Sequence, residues 1–213
     1  TEKTFCDIYG ISRTTIRQAI SELVNEGYLY RVKSKGTFVS QPKVKTDLVN
    51  MYDGYNMELF SLSMTPSTQA IELTLVKANS EQARALEIEE GDNVIYLLRH
   101  RYADGMAMGY VESYFKYPLC DFLLKEDEET FNSTSVYHIL AKSKLAKVKR
   151  ILKTIEAVGA TEAEAKLLNI KKGSPVNMCT NICYSQETGT PVIYELLKYR
   201  GDKNKFSIEI NID

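Results

Sequence analysis

The sequence predicts an α+β protein, with a small winged helix-turn-helix followed by a larger domain built on an antiparallel sheet. Three observations carry this expectation. Gly10 to Val39 reads as a turn, an amphipathic helix, a glycine stop and a basic hairpin. From Thr68 onward, runs of alternating polarity are separated by Asp-Gly, Thr-Gly and Gly-Asp turns, with short helical stretches between them. Charge is unevenly divided: residues 1–45 hold eight Lys or Arg against four Asp or Glu, and the remainder nineteen against twenty-four. A basic small domain joined to an acidic larger one suits a polyanion partner for the first only.

Composition bounds the rest. At 213 residues and 44% apolar content, the chain can hold a small and a medium domain. It contains no run of about 18 apolar residues that would span a membrane, and no signal peptide is evident. Four cysteines, Cys6, Cys120, Cys179 and Cys183, are too few and too scattered for a disulfide scaffold. Cys179 and Cys183 share one face of a strand, but His100 and His138 are distant in sequence, so free cytosolic thiols are expected rather than a metal site. Neither a metal nor a cofactor is expected, and the chain is read as cytoplasmic.

In chain order, Thr1 caps a short helix through Tyr9 and Gly10 supplies the turn. Ser12 caps a helix over Arg13 to Glu26, because its hydroxyl can accept a first-turn N–H. Ile16, Ala19, Ile20, Leu23 and Val24 give that helix one apolar stripe, and Gly27 ends it. Its opposite face carries Arg13, Thr14, Arg17, Gln18 and Ser21. Cations near a helix N-terminus oppose the dipole, so they need another reason. A DNA major groove supplies one, since arginine reads guanine edges or clamps phosphates and threonine contacts either. Tyr28 to Ser40 forms the hairpin, whose tip places Lys33 and Lys35, with Arg31 nearby, to meet phosphates. A merely solvated charged face is the plain alternative; the combination of cationic helix start, glycine stop and basic wing argues against it.

Gln41 to Asp53 reads as a linker, making 1–40 the first domain and 54–213 the second. The second opens with a helix over Gly54 to Ser63. Strands follow at Thr68–Lys77, Val94–Ala103, Ala107–Tyr117, Ala146–Val158, Val176–Ser185, Pro191–Arg200 and Phe206–Ile212. Short helices are expected over Glu81–Leu86 with Ser80 as cap, Leu119–Lys125, Ser135–Ala141 and Thr161–Leu168, with Glu126–Glu129 as an acidic loop. Hairpin connections imply an antiparallel sheet.

The stretch SRTTIRQAISELVNEGYLYRVKSKGTFV resembles the DNA-binding domain of the GntR family of bacterial transcription regulators, over nearly thirty consecutive residues. The resemblance implies DNA contacts from Lys3, Arg13, Thr14, Thr15 and Arg17, with Gly36 in the wing. Of the family's opening helix and its Leu-Pro-Ser-Glu-type motif only Thr1-Glu2-Lys3 stands here, and no starting methionine is present. The expectation is an N-terminally truncated chain whose DNA-binding domain lacks its first helix.

In the second domain, Arg99 and Arg101 lie two apart on a strand and project from one face. Two guanidiniums on one face repel unless they share an anion, and their fork geometry matches phosphate or carboxylate. A helix start at Ser133-Thr134-Ser135 can add donors. Pairing of each arginine with a surface acid is the competing account. Met64-Thr65-Pro66, Arg99-x-Arg101, Glu112-x-x-Tyr, Leu168 to Pro175-Val and Tyr199-Arg200-Gly201-Asp202 with Phe206 resemble, in that order, the effector-binding UTRA module of the HutC subfamily, which has a chorismate-lyase-like fold. Leu-x-Ile-x-x-Gly-x-x-Val recurs at 86–94 and 168–176, a sign of internal duplication.

The resemblance implies an effector site. Positions matching Arg99, Arg101, Ser135 and Tyr137 hold a phosphate in sugar-phosphate-responsive members, while those matching Glu112 and Tyr199 lie by the sugar. Amino-sugar-phosphate binders place a glutamate where this chain has Ile193; Glu195 keeps the same face about 6.5 Å further along the strand. The chain therefore reads as a homodimeric regulator, a repressor of operator DNA responsive to a small anion such as a sugar phosphate. The alternative is a chorismate-lyase-like enzyme, but no nucleophile–base pair, metal cluster or phosphate loop is present, and an enzyme has no use for the basic wing.

Overall fold

The structure, a computed structural model, describes residues 1–25, 28–32, 35–39, 43–47 and 63–209, with 45–47 described by their backbone. The chain divides into two compact units, Thr1–Lys43 and Val44–Asp213.

The smaller unit begins with α1 (Glu2–Tyr9), capped by Thr1, whose hydroxyl accepts from the Thr4 N–H at 3.3 Å. Gly10 closes the helix at φ 64°, in the left-handed region where a side chain would be strained. Next comes α2 (Arg13–Asn25), where Ser12 accepts from the Thr15 N–H at 3.2 Å, as its cap role predicts. Ile16 of the apolar stripe is buried at 7% exposure. The wing consists of β1 (Leu29–Val32) and β2 (Gly36–Val39), paired antiparallel with Tyr30 stacked on Phe38 at 5.6 Å. Gly27 and Lys33 lie outside the described residues.

The larger unit holds β3 (Val44–Asp47), β4 (Pro66–Lys77), α3 (Ser80–Leu86), β5 (Asn93–Ala103) and β6 (Met106–Lys116). A 3-10 turn at Asp121–Lys125, α4 (Glu128–Ser133), α5 (Val136–Leu140), β7 (Val148–Gly159), α6 (Glu162–Leu168), β8 (Pro175–Ser185), β9 (Pro191–Arg200) and β10 (Asn204–Ser207) complete it. Six strands form an antiparallel sheet in the order β4-β5-β6-β9-β8-β7.

Four expectations are revised. β3 falls inside the stretch read as a linker and pairs in parallel with β10, the one parallel ladder among the described strands. The acidic run 126–129 is not all loop, because Asp127 accepts from the Thr130 N–H at 2.8 Å and starts α4. Ser133 ends α4 instead of starting a helix. Asn79, not Ser80, caps α3, accepting from Glu81 and Gln82 N–H groups at 3.0 and 2.9 Å. The expected helix over 54–63 and the end of the last expected strand lie largely or partly outside the described residues.

The recurring nine-residue motif has a structural counterpart. Both α3 and α6 carry capping boxes, Asn79 with Gln82 and Thr161 with Glu164. Both end on a left-handed residue, Glu87 and Asn169, and both turn at a positive-φ glycine, Gly91 and Gly173. α3 then packs on β9 and α6 on β6, so each helix covers a strand of the other half.

The sheet buries both faces around its centre. On one face Leu97, Phe115 and Cys183 pack with Phe131, Val136, Ile139 and Leu140 from α4 and α5. On the other, Leu86 packs with Tyr194 and Leu168 with Tyr110. Burying each such large side chain contributes about 1.5–3 kcal/mol relative to exposing it.

Candidate functional site

Alternation along β5 sends Ile95, Leu97, Arg99 and Arg101 to the face covered by α4 and α5, and Tyr96, Leu98 and His100 to the other. Strand register then selects the neighbours. Val111 of β6 stands opposite Arg99, and Ser113 opposite Glu195 of β9; Glu195 in turn stands opposite Asn181 of β8, and Asn181 opposite Lys153 of β7. Gly109 lets β6 approach β9 beside Tyr199, since a Cβ there would lie 2.6 Å from the Lys198 carbonyl oxygen and 2.8 Å from the Tyr199 ring.

At the centre of this face is a buried polar cluster. Glu195, 2% exposed, accepts from Ser113 Oγ at 3.0 Å on Oε1, and from Tyr137 Oη at 2.7 Å and Asn181 Nδ2 at 3.1 Å on Oε2. Arg99 Nη2 stands 3.8 Å from Glu195 Oε1 and donates weakly to Ser113 Oγ at 3.5 Å. Burial draws the Arg99 pKa down to about 10, with repulsion from Arg101 adding to the fall and Glu195 opposing it. Burial likewise pushes the Tyr137 hydroxyl well above its ordinary range, the Glu195 charge adding to this, so it stays a donor. Lys153 is drawn down by burial, against the pull of Cys179, Glu195 and Cys183. Arg99 Nε and Asn181 Oδ1 are buried without a partner among the described residues.

Of the sequence-predicted effector residues, Arg99 and Tyr137 meet through Glu195, and Arg101 and Tyr199 act electrostatically on this group from the same face. Ser135 is the N-cap residue of α5, two positions before Tyr137, with no side-chain capping bond. Glu112 is corrected: it stands opposite Leu98, on the other face, where it accepts from Tyr96 Oη at 3.3 Å. Ser113, Asn181 and Lys153 were missed. Lone polar residues in buried strands carry no spacing signal; strand register is what places them here.

On the smaller unit, Arg13 and Arg17 rise from one side of α2 with side chains 69% and 60% exposed. Lys3, Thr14, Lys35 and Gly36 are exposed, while the exposed Thr15 has its hydroxyl 2.9 Å from Ser12 Oγ in the helix cap. Lys33 lies outside the described residues. Arg31 leaves the wing tip for α2, donating from Nη2 to Ser21 Oγ at 2.9 Å.

The gntR model of bacterial regulatory proteins matches residues 1–39, and the UTRA domain model matches residues 61–205. The chain is 34% identical over 205 residues to the HTH-type transcriptional repressor NagR of Bacillus subtilis, covering 96% of this chain and 82% of that one. It is 31% identical over 199 residues to the probable fructoselysine utilization operon transcriptional repressor of Escherichia coli K12, covering 92% and 79%. A histidine utilization repressor of Pseudomonas putida is 32% identical over 166 residues, covering 78% and 64%. In fold, the crystal structure of PhnF from Mycobacterium smegmatis superposes with a TM-score of 0.75 at 21% identity, covering 100% of this chain and 91% of that one. The three relatives from Bacillus subtilis, Escherichia coli K12 and Pseudomonas putida bear the names of repressors. The chain belongs to the GntR family of bacterial transcription regulators, with a winged helix-turn-helix joined to a UTRA domain.

Proposed function

We propose that the chain is a cytoplasmic, homodimeric repressor that holds operator DNA through α2 and the β1–β2 wing. It is released or retained by a small anionic effector, a phosphorylated sugar, bound on the α4–α5 face of the sheet. The observation that carries the effector reading is Arg99, buried beside Arg101 and only partly offset by Glu195, so that its pKa stays below the ordinary arginine value. A site that disfavours positive charge in this way gains from an incoming anion, and phosphate and carboxylate match the guanidinium fork. Tyr137 and Ser135 lie on the helix above it.

Glu195 refines the reading. It already supplies one carboxylate to Arg99, Ser113, Tyr137 and Asn181, so the effector anion is expected nearer Arg101 than Tyr137. Effector and operator are then coupled by differential affinity of the ligand for two states of a dimer, whose half-sites lie about 34 Å apart.

Calorimetry with a panel of hexose and amino-hexose 6-phosphates tests this. Arg101→Ala is expected to weaken the best ligand by tenfold or more, a change of at least about 1.4 kcal/mol, close to the lower end for a lost charge-assisted hydrogen bond. Equal affinity in the variant and the parent would remove Arg101 from the site.

A further inference from the structure

The smaller unit holds an acidic residue where DNA recognition has least use for one. Glu2, first residue of α1, turns its carboxylate onto α2. Its Oε2 accepts from Arg13 Nε at 3.0 Å and from Arg17 Nε at 3.0 Å, while Oε1 accepts from Arg17 Nε at 3.2 Å. The two arginines are four residues apart, so they stand on one side of the helix and repel each other. Further along the same face of α2, Ser21 Oγ donates to the Arg17 carbonyl oxygen at 2.8 Å and accepts from Arg31 of the wing, which ties the helix to the hairpin.

An exposed ion pair adds little to stability, because water screens it and the side chains lose freedom. Its effect on geometry is larger. With Nε engaged, each guanidinium keeps its Nη groups for an outside acceptor, and its long side chain is already ordered before any contact forms. Glu2 also subtracts charge from the surface, which weakens attraction to phosphates of any sequence.

We propose that Glu2 is a positioning residue for DNA recognition: its carboxylate clamps Arg13 and Arg17 together with their Nη edges outward, giving up non-specific affinity in exchange for sequence selectivity. The inference rests on α2 being the helix that faces DNA. Glu2 thus acts through the arginines, and its signature is the ratio of specific to non-specific affinity.

The test begins with duplexes selected by the intact protein from a random-sequence library. Binding of a selected and a scrambled duplex is then measured across a salt series for the parent, Glu2→Gln, Glu2→Asp and Arg17→Ala, with helicity checked for each. Glu2→Gln is expected to lower the selected-to-scrambled affinity ratio by about tenfold, the scale of one well-placed bidentate base contact, without weakening the scrambled duplex. Glu2→Asp, which keeps the charge, is expected to recover part of that ratio. An unchanged ratio in Glu2→Gln, with Arg17→Ala defective, overturns the clamp. Equal weakening of both duplexes with lost helicity also overturns it, in favour of a purely structural role. Full binding by Arg17→Ala overturns instead the reading of α2 on which the clamp depends.

Discussion

The two halves of the larger unit share a scaffold and differ in what they do with it. In the first, α3 leads through Gly91 into β5; in the second, α6 leads through Gly173 into β8. Leu86 and Val94 correspond to Leu168 and Val176, all four fully or almost fully buried. Further along the strands the correspondence becomes divergence: Arg99 and Arg101 of β5 answer to Asn181 and Cys183 of β8. Opposite Arg99 on β6 stands Val111, whereas opposite Asn181 on β9 stands Glu195. Repetition therefore builds the sheet, and the buried polar cluster arises where repetition stops. One half supplies the buried guanidinium with Ser113, and the other the carboxylate that faces it and the Asn181 amide that holds that carboxylate.

The largest expected effect comes from breaking that division. Glu195→Ala leaves Arg99 buried without its carboxylate and is expected to cost about 3–5 kcal/mol in urea unfolding, whereas Val111→Ala, its counterpart in the other half, removes only packing. Equal losses at the two positions would mean that the halves are not chemically distinct. A smaller test uses the helix ends. Glu87 (φ 53°) and Asn169 (φ 51°) cap α3 and α6 in the same left-handed conformation, but asparagine tolerates it and glutamate does not. Glu87→Gly is expected to stabilise by about 0.5–1 kcal/mol, and Asn169→Gly by less. Smallest of all is Glu112→Gln, on the far face with Tyr96, which is expected to leave effector affinity unchanged. A large loss in calorimetry would return Glu112 to the site.

Much of this was legible because it is local. Alternation placed Arg99 and Arg101 on one face, and the recurring Leu-x-Ile-x-x-Gly-x-x-Val motif announced both helix-to-strand turns. Thr161 and Ser12 announced their own caps. Asn79 was hidden by an adjacent serine of equal capping propensity, and the cap at Asp127 by the acids around it. What could not be read is register. The face of Glu112 relative to Arg99 depends on which β6 residue stands opposite Leu98, and the ladder shifts between Arg101 and Tyr102. For the same reason the meeting of Glu195, Asn181 and Ser113, from three strands, had no signal in sequence spacing. The parallel pairing of β3 with β10 joins segments from opposite ends of the larger unit, beyond the reach of any local pattern.

A small anion is expected to bind on the α4–α5 face, near Arg101, and not on the face of Glu112. Hydrogen exchange of the intact protein, with and without a saturating hexose or amino-hexose 6-phosphate, reads this most directly because different helices cover the two faces. Binding is expected to slow exchange in residues 128–140 and around Arg99–Arg101 of β5, leaving α3 and α6 unchanged. Slowed exchange confined to α3 and α6, with residues 128–140 unaffected, would put the anion on the Glu112 face and rule out binding at Arg101.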